Sequence, residues 1–135
     1  MKRNVLIAYQ LFAGLSDLGT GVLLCIAPLA TLHLLGLHPP SESAPFVAFI
    51  GAFVLSTGIA CLYGVQPLVK HDAVESIETV WLLTAFTRSA VAIYIVKSVL
   101  IGELEAGWIS VAAFDGICTV IQAAGLRLGW LRDAD

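Results

Sequence analysis

Three ionisable residues stand inside long apolar runs: Asp17 between Val5 and Leu29, Arg88 between Ile77 and Leu100, and Asp115 between Gly107 and Leu128. An aspartate in such surroundings can hold a proton or a cation, and an arginine can serve two carboxylates at once because its planar fork presents donors on two edges. Each run is long enough to cross ~30 Å of hydrocarbon as a helix, where a central charge costs at least ~2.5–3.5 kcal/mol. The three side chains must therefore face inward. At helical rise they lie at depths of roughly 17, 17 and 20 Å from the same side. A common depth on three helices predicts a buried acid–arginine–acid cluster.

The neighbours extend that pattern. Thr84 and Thr87 share part of a helical face with Arg88, and Asp115, Thr119 and Gln122 follow the i, i+4, i+7 spacing of a single stripe. Gly14, Asp17 and Gly21 occupy one face of the first run, where small residues allow a second backbone to approach closely. Two acids against one base leave an excess negative charge. Either one carboxylate takes up a proton, a cation or a ligand amine, or Arg88 and one aspartate form an interhelical lock while the other reaches a water or a backbone donor. Both readings stand on the sequence.

The elements that position these residues follow from composition. Of 135 residues 59% are hydrophobic and 13% charged, too few charges to cover a water-facing surface. A mean hydropathy of +0.91 places the chain in a lipid bilayer. Its length allows one domain, residues 1–135, with about four crossings of ~20 residues and no separate soluble catalytic domain. The expected spans are Val5–Leu29, Pro45–Tyr63, Ile77–Leu100 and Gly107–Leu128. They are apolar on nearly every face, without the period-2 alternation of barrel strands, so the expected fold is an all-α integral membrane bundle.

Charge in the connections sets orientation. Lys2, Arg3, Lys70, Arg127 and Arg132 fall on the side that holds both termini, against Lys97 with Glu42, Glu103 and Glu105 on the other. The positive-inside rule puts both termini in the cytoplasm. Tyr9, Tyr63, Trp81 and Trp130 near the inner helix ends, with Trp108 at the outer start of the last helix, read as an interfacial aromatic belt. Met1-Lys2-Arg3 and the run that follows read as a retained signal anchor, because the run is too long for a cleaved signal. Pro28 should kink or end the first helix, leaving Leu29–Leu37 as a turn or short helix, and Pro45 fits the first turn of the second. Asp72-x-x-Glu75 has the spacing of a capped helix start.

Other arrangements carry less. His33 and His38 are five residues apart, a spacing that does not put both imidazoles on one helical face, so no metal site is expected. No histidine sits at mid-membrane to ligate a haem, and no cofactor is expected. Cys25, Cys61 and Cys118 lie singly on three helices and read as small packing residues. Gly125-x-x-x-Gly129 encloses Arg127 at a membrane edge and makes a weak dimer face. Nothing resembles a hydrolytic triad, no catalytic residue is assigned, and no basic cluster suits nucleic acid.

The segment Gly14-Leu-Ser-Asp-Leu-Gly-Thr-Gly-Val-Leu-Leu-Cys-Ile-Ala-Pro28, the Gly51-to-Gly58 second helix, the third helix with central Arg88 followed by Gly102-Glu103, and the fourth with Asp115 together resemble the DoxX-like four-helix membrane proteins of bacteria. The resemblance implies a four-helix bundle. Its relatives include small subunits linked to quinone-dependent sulfur oxidation, which makes an accessory or scaffold subunit, with a membrane-protein partner or a second copy, the expected role. A more local likeness joins Asp17-Leu-Gly-Thr to the acid-x-Gly-Thr segment of small multidrug-resistance transporters, which have glutamate at that point and no partner arginine. It implies a proton-coupled small-molecule transporter; a membrane protein that binds lipid or quinone is the other alternative role.

Overall fold

In the computed structural model, which describes residues 3–70 and 74–132, the chain folds into six α-helices and no strand among those residues. They are α1 (Arg3–Ile26), α2 (Pro28–Leu34), α3 (Ala44–Tyr63), α4 (Val65–Lys70), α5 (Val74–Leu100) and α6 (Ile109–Arg127). Short 3-10 turns at Ser41–Ser43 and Ala106–Trp108 lead into α3 and α6. Four stretches, Arg3–Ile26, Ser41–Lys70, Val74–Leu100 and Ala106–Arg127, are long and apolar enough to cross a membrane.

The differences from the expected spans have local causes. Pro28 ends α1 two residues before it, then starts α2 as its first residue, where a missing N–H removes no hydrogen bond. The first span is therefore shorter than Val5–Leu29. Pro45 occupies the first turn of α3 as expected. Helix α5 begins at Val74 rather than Ile77, while Asp72, the proposed cap, lies outside the described residues, as do Lys2 and His71. Helices α2, α5 and α6 each end on a glycine in the left-handed region, Gly36, Gly102 and Gly129. In each the next amide bonds back to the last full turn, as Leu37 N–H does to the Leu32 carbonyl at 2.9 Å.

Helix α1 packs along α3, and α5 along α6, each pair antiparallel. The first pair is built on glycines seven residues apart. A Cβ added at Gly21 would run into the Leu55 backbone, and one at Gly58 into the backbone of Leu18. Gly14 meets Leu62, and Gly51 meets Leu24 at 2.7 Å from where its Cβ would lie. Contact at this range replaces side-chain packing with backbone packing, the means by which helices associate in a solvent as apolar as themselves.

Three apolar clusters close the bundle. Leu6, Leu68, Ile77, Trp81 and Leu131 pack at the end that carries the termini. Leu24, Leu32, Leu37 and Val47 form a second cluster, and Ala92, Ile95 and Ala112 a third. Large apolar side chains cover the outside, with Phe46, Phe86, Ile93 and Val120 each about two-thirds exposed or more. That inside-out pattern fits lipid as the surrounding solvent. Trp81 departs from the belt reading. It is fully buried, with its indole N–H satisfied inside the protein, because α1 supplies an acceptor at its level.

Candidate functional site

Arg88 projects from the middle of α5 between α1 and α6 and is 2% exposed. Its Nη2 donates to Asp17 Oδ2, and its Nη1 donates to Asp115 Oδ1 at 2.6 Å. One guanidinium thus joins three helices, and the three residues expected to converge do so. Phe114 of α6 lies beside the node, its ring centre 5.3 Å from the guanidinium carbon, within the range of a cation–π contact. Phe12 of α1 meets Phe114 at 6.2 Å between ring centres, across the seam between α1 and α6. The Tyr9 hydroxyl crosses the same seam, donating to the Cys118 carbonyl at 3.3 Å.

The supporting residues divide. Thr84 is buried, donates to the Val80 carbonyl at 2.7 Å and accepts from Gln122 Nε2 at 2.8 Å, tying α5 to α6 one turn from Arg88. Gln122 is fully buried, and its Oε1 has no hydrogen-bond partner in the protein. Thr119 is half-buried, with its Oγ1 likewise unpartnered, as is Arg88 Nε. Thr87 is not part of the site. It is exposed and bonds only to the Leu83 carbonyl of its own helix, because one residue from Arg88 is about 100° around the axis.

A second layer was not anticipated from the sequence. Gln10 of α1 is fully buried, donating from Nε2 to the Cys61 carbonyl of α3 at 2.7 Å and accepting from Trp81 Nε1 at 2.9 Å. Tyr9 and Trp81 meet edge to face at 5.5 Å. The signal for Gln10 was its position seven residues before Asp17, which puts both on one face. Trp81 likewise precedes Arg88 by seven residues. Helices α1 and α5 therefore run parallel and meet twice in the same register, through an amide–indole bond and through the ion pair.

His33 and His38 come closer than helical spacing allows, their ring centres 5.6 Å apart, because the chain reverses at Gly36 between them. The His38 amide donates to Glu105 Oε1 at 3.1 Å, joining the two loops opposite the termini. No group of three or more side chains suited to a metal ion occurs among the described residues. All three cysteines are free thiols. Cys61 and Cys118 are buried, whereas Cys25 is exposed and donates to the Ala48 carbonyl at 3.6 Å, so it is not a core residue. Gly125 and Gly129 have intramolecular roles, one making room for the Trp81 ring and the other capping α6. At the termini end, Arg132 makes a two-pronged contact with Glu78 at 2.7 and 3.1 Å.

Comparison with protein-family models, curated proteins and solved structures finds no match to this chain.

Proposed function

We propose that this protein is a noncatalytic integral membrane subunit, an accessory or scaffold component of a bacterial plasma membrane, with both termini in the cytoplasm. The observation that carries this reading is the double engagement of Arg88. The guanidinium connects Asp17, on the α1–α3 pair, to Asp115, on the α5–α6 pair, and both of its primary nitrogens are used. A side chain held from two sides serves to fix helix register, the best-attested use of a buried ion pair. The four-helix architecture agrees with the resemblance to DoxX-like proteins. The large apolar side chains on the outer face offer contact to acyl chains and to a partner subunit or second copy.

The experiment is affinity purification of the tagged full chain from its native membrane in mild detergent. A stoichiometric protein partner or a homo-oligomer, with no turnover of its own, is the expected result. Recovery of a solitary chain that drives substrate-dependent proton flux in vesicles, abolished by Asp17→Asn or Asp115→Asn, would replace this reading with a carrier.

A further inference from the structure

The node has a charge that its protein partners do not balance. Asp17 and Asp115 bring two carboxylates to a single guanidinium. The other groups within electrostatic reach of Arg88 are the Tyr9 hydroxyl from α1 and the thiols of Cys61 from α3 and Cys118 from α6. None of them is a cation. An excess negative charge in a low-dielectric interior is unfavourable, so it attracts whatever positive species fits. A metal ion would need several oxygen ligands beside a guanidinium that repels it, whereas a proton needs one acceptor.

A route of polar atoms leads to the node. Asp115, Thr119 and Gln122 lie on one stripe of α6, and Thr119 Oγ1, Gln122 Oε1 and Arg88 Nε are buried without protein partners. Gln122 is fully buried, and leaving such an atom without any hydrogen bond is unfavourable. Water hydrogen-bonded along this stripe removes that cost, since buried water typically makes two to four bonds with otherwise unmet polar groups. Such water would link Gln122 to Asp115 along α6, within the bundle.

From this geometry we propose that the Asp17–Arg88–Asp115 node binds one exchangeable proton, shared by the two carboxyls, and that hydrated Thr119 and Gln122 deliver it. Uptake forms an O–H bond on one carboxylate oxygen and releases nothing, which leaves one carboxylate against one guanidinium. The inference rests on the same node as the proposed structural role. It adds a ligand that the role does not require.

Infrared spectroscopy of the full chain in lipid nanodiscs at neutral pH tests it. A C=O stretch from one protonated carboxyl per chain is expected, shifting in D2O and on 13C-aspartate labelling. Asp17→Asn and Asp115→Asn should each abolish it, because either leaves one acid against one base. The isotope experiment uses the unmodified protein and stands even if both variants fail to fold. Thr119→Val combined with Gln122→Leu should keep the band and slow its deuteration by roughly tenfold. No protonated carboxyl in the unmodified protein, or a band that survives both Asn variants, would overturn the proposal, as would one seen only after sodium is withdrawn. Unchanged deuteration in the Thr119/Gln122 variant would overturn the delivery route. A failed partner search leaves all these readings unaffected, so the two proposals fail separately.

Discussion

Arg88 is the residue on which the bundle's polar interior converges, and its removal takes the hydrogen-bond donor from two carboxyl groups at once. Arg88→Leu should destabilise the protein by ~3–5 kcal/mol, the usual cost of leaving buried charge uncompensated. Adding Asp17→Leu should recover part of that loss, since one stranded group disappears. Thermal unfolding of the two variants in the same detergent measures the coupling, and strictly additive losses would contradict the lock. Convergence of Asp17, Arg88 and Asp115 was legible because charge is so costly in lipid that only an inward, mutually paired arrangement is tolerable. Thr87 shows the limit of that logic. A hydroxyl can satisfy itself on the preceding turn of its own helix, as Thr87 does on Leu83, so its presence in an apolar run says little about which way it faces. Gln10 was the opposite error. Its amide bridges α3 and α5, and it drew no attention because it carries no charge.

At the scale of elements, the glycines of α1 and α3 set how closely the first pair of helices packs. Gly58→Ala would push a methyl group into the Leu18 backbone and should cost ~1–3 kcal/mol through forced separation of the helices. Gly19→Ala is the control, because nothing lies within 4 Å of its Cβ position. It should leave stability unchanged or raise it by up to ~1 kcal/mol, the usual helical preference for alanine. Melting temperatures of the two variants decide the matter, and equal effects would mean that the close approach contributes nothing. Helix boundaries were legible where proline imposes them, at Pro28 and Pro45, whereas α4, which follows Gly64, lay beyond the expected end of the second span at Tyr63. The aromatic belt was less so. Trp81 lies seven residues inside α5 and is sealed by the Leu6–Leu68–Ile77–Leu131 cluster and by Gln10, whereas Trp108 caps the start of α6 and stays half-buried.

For the whole molecule, the antiparallel pairs put residues 3 and 132 at one end and the His33–Ser43 and Ile101–Trp108 connections at the other. The basic residues Arg3, Lys70, Arg127 and Arg132 accompany the termini. Their distribution predicts that a cysteine replacing Arg132 reacts with a membrane-impermeant maleimide only after cells are opened, while one replacing Glu42 reacts on intact cells, in a background where Cys25, Cys61 and Cys118 are serine. Equal labelling of both positions on intact cells would contradict the orientation. Four helices long and apolar enough to cross a membrane could be read from hydropathy, because lipid demands long uninterrupted helices. The pairing of α1 with α3 depends on which faces carry glycine and was only partly visible, while that of α5 with α6, where α5 has no glycine, had no such signal.

The ion pair at the centre joins residues 71 positions apart in the chain. Asp17 is therefore synthesised 71 residues ahead of the guanidinium that answers it, and an α1–α3 hairpin formed first would hold an unpaired acid until α5 joins it. A chain truncated after α3 would therefore keep Asp17 with no guanidinium to answer it.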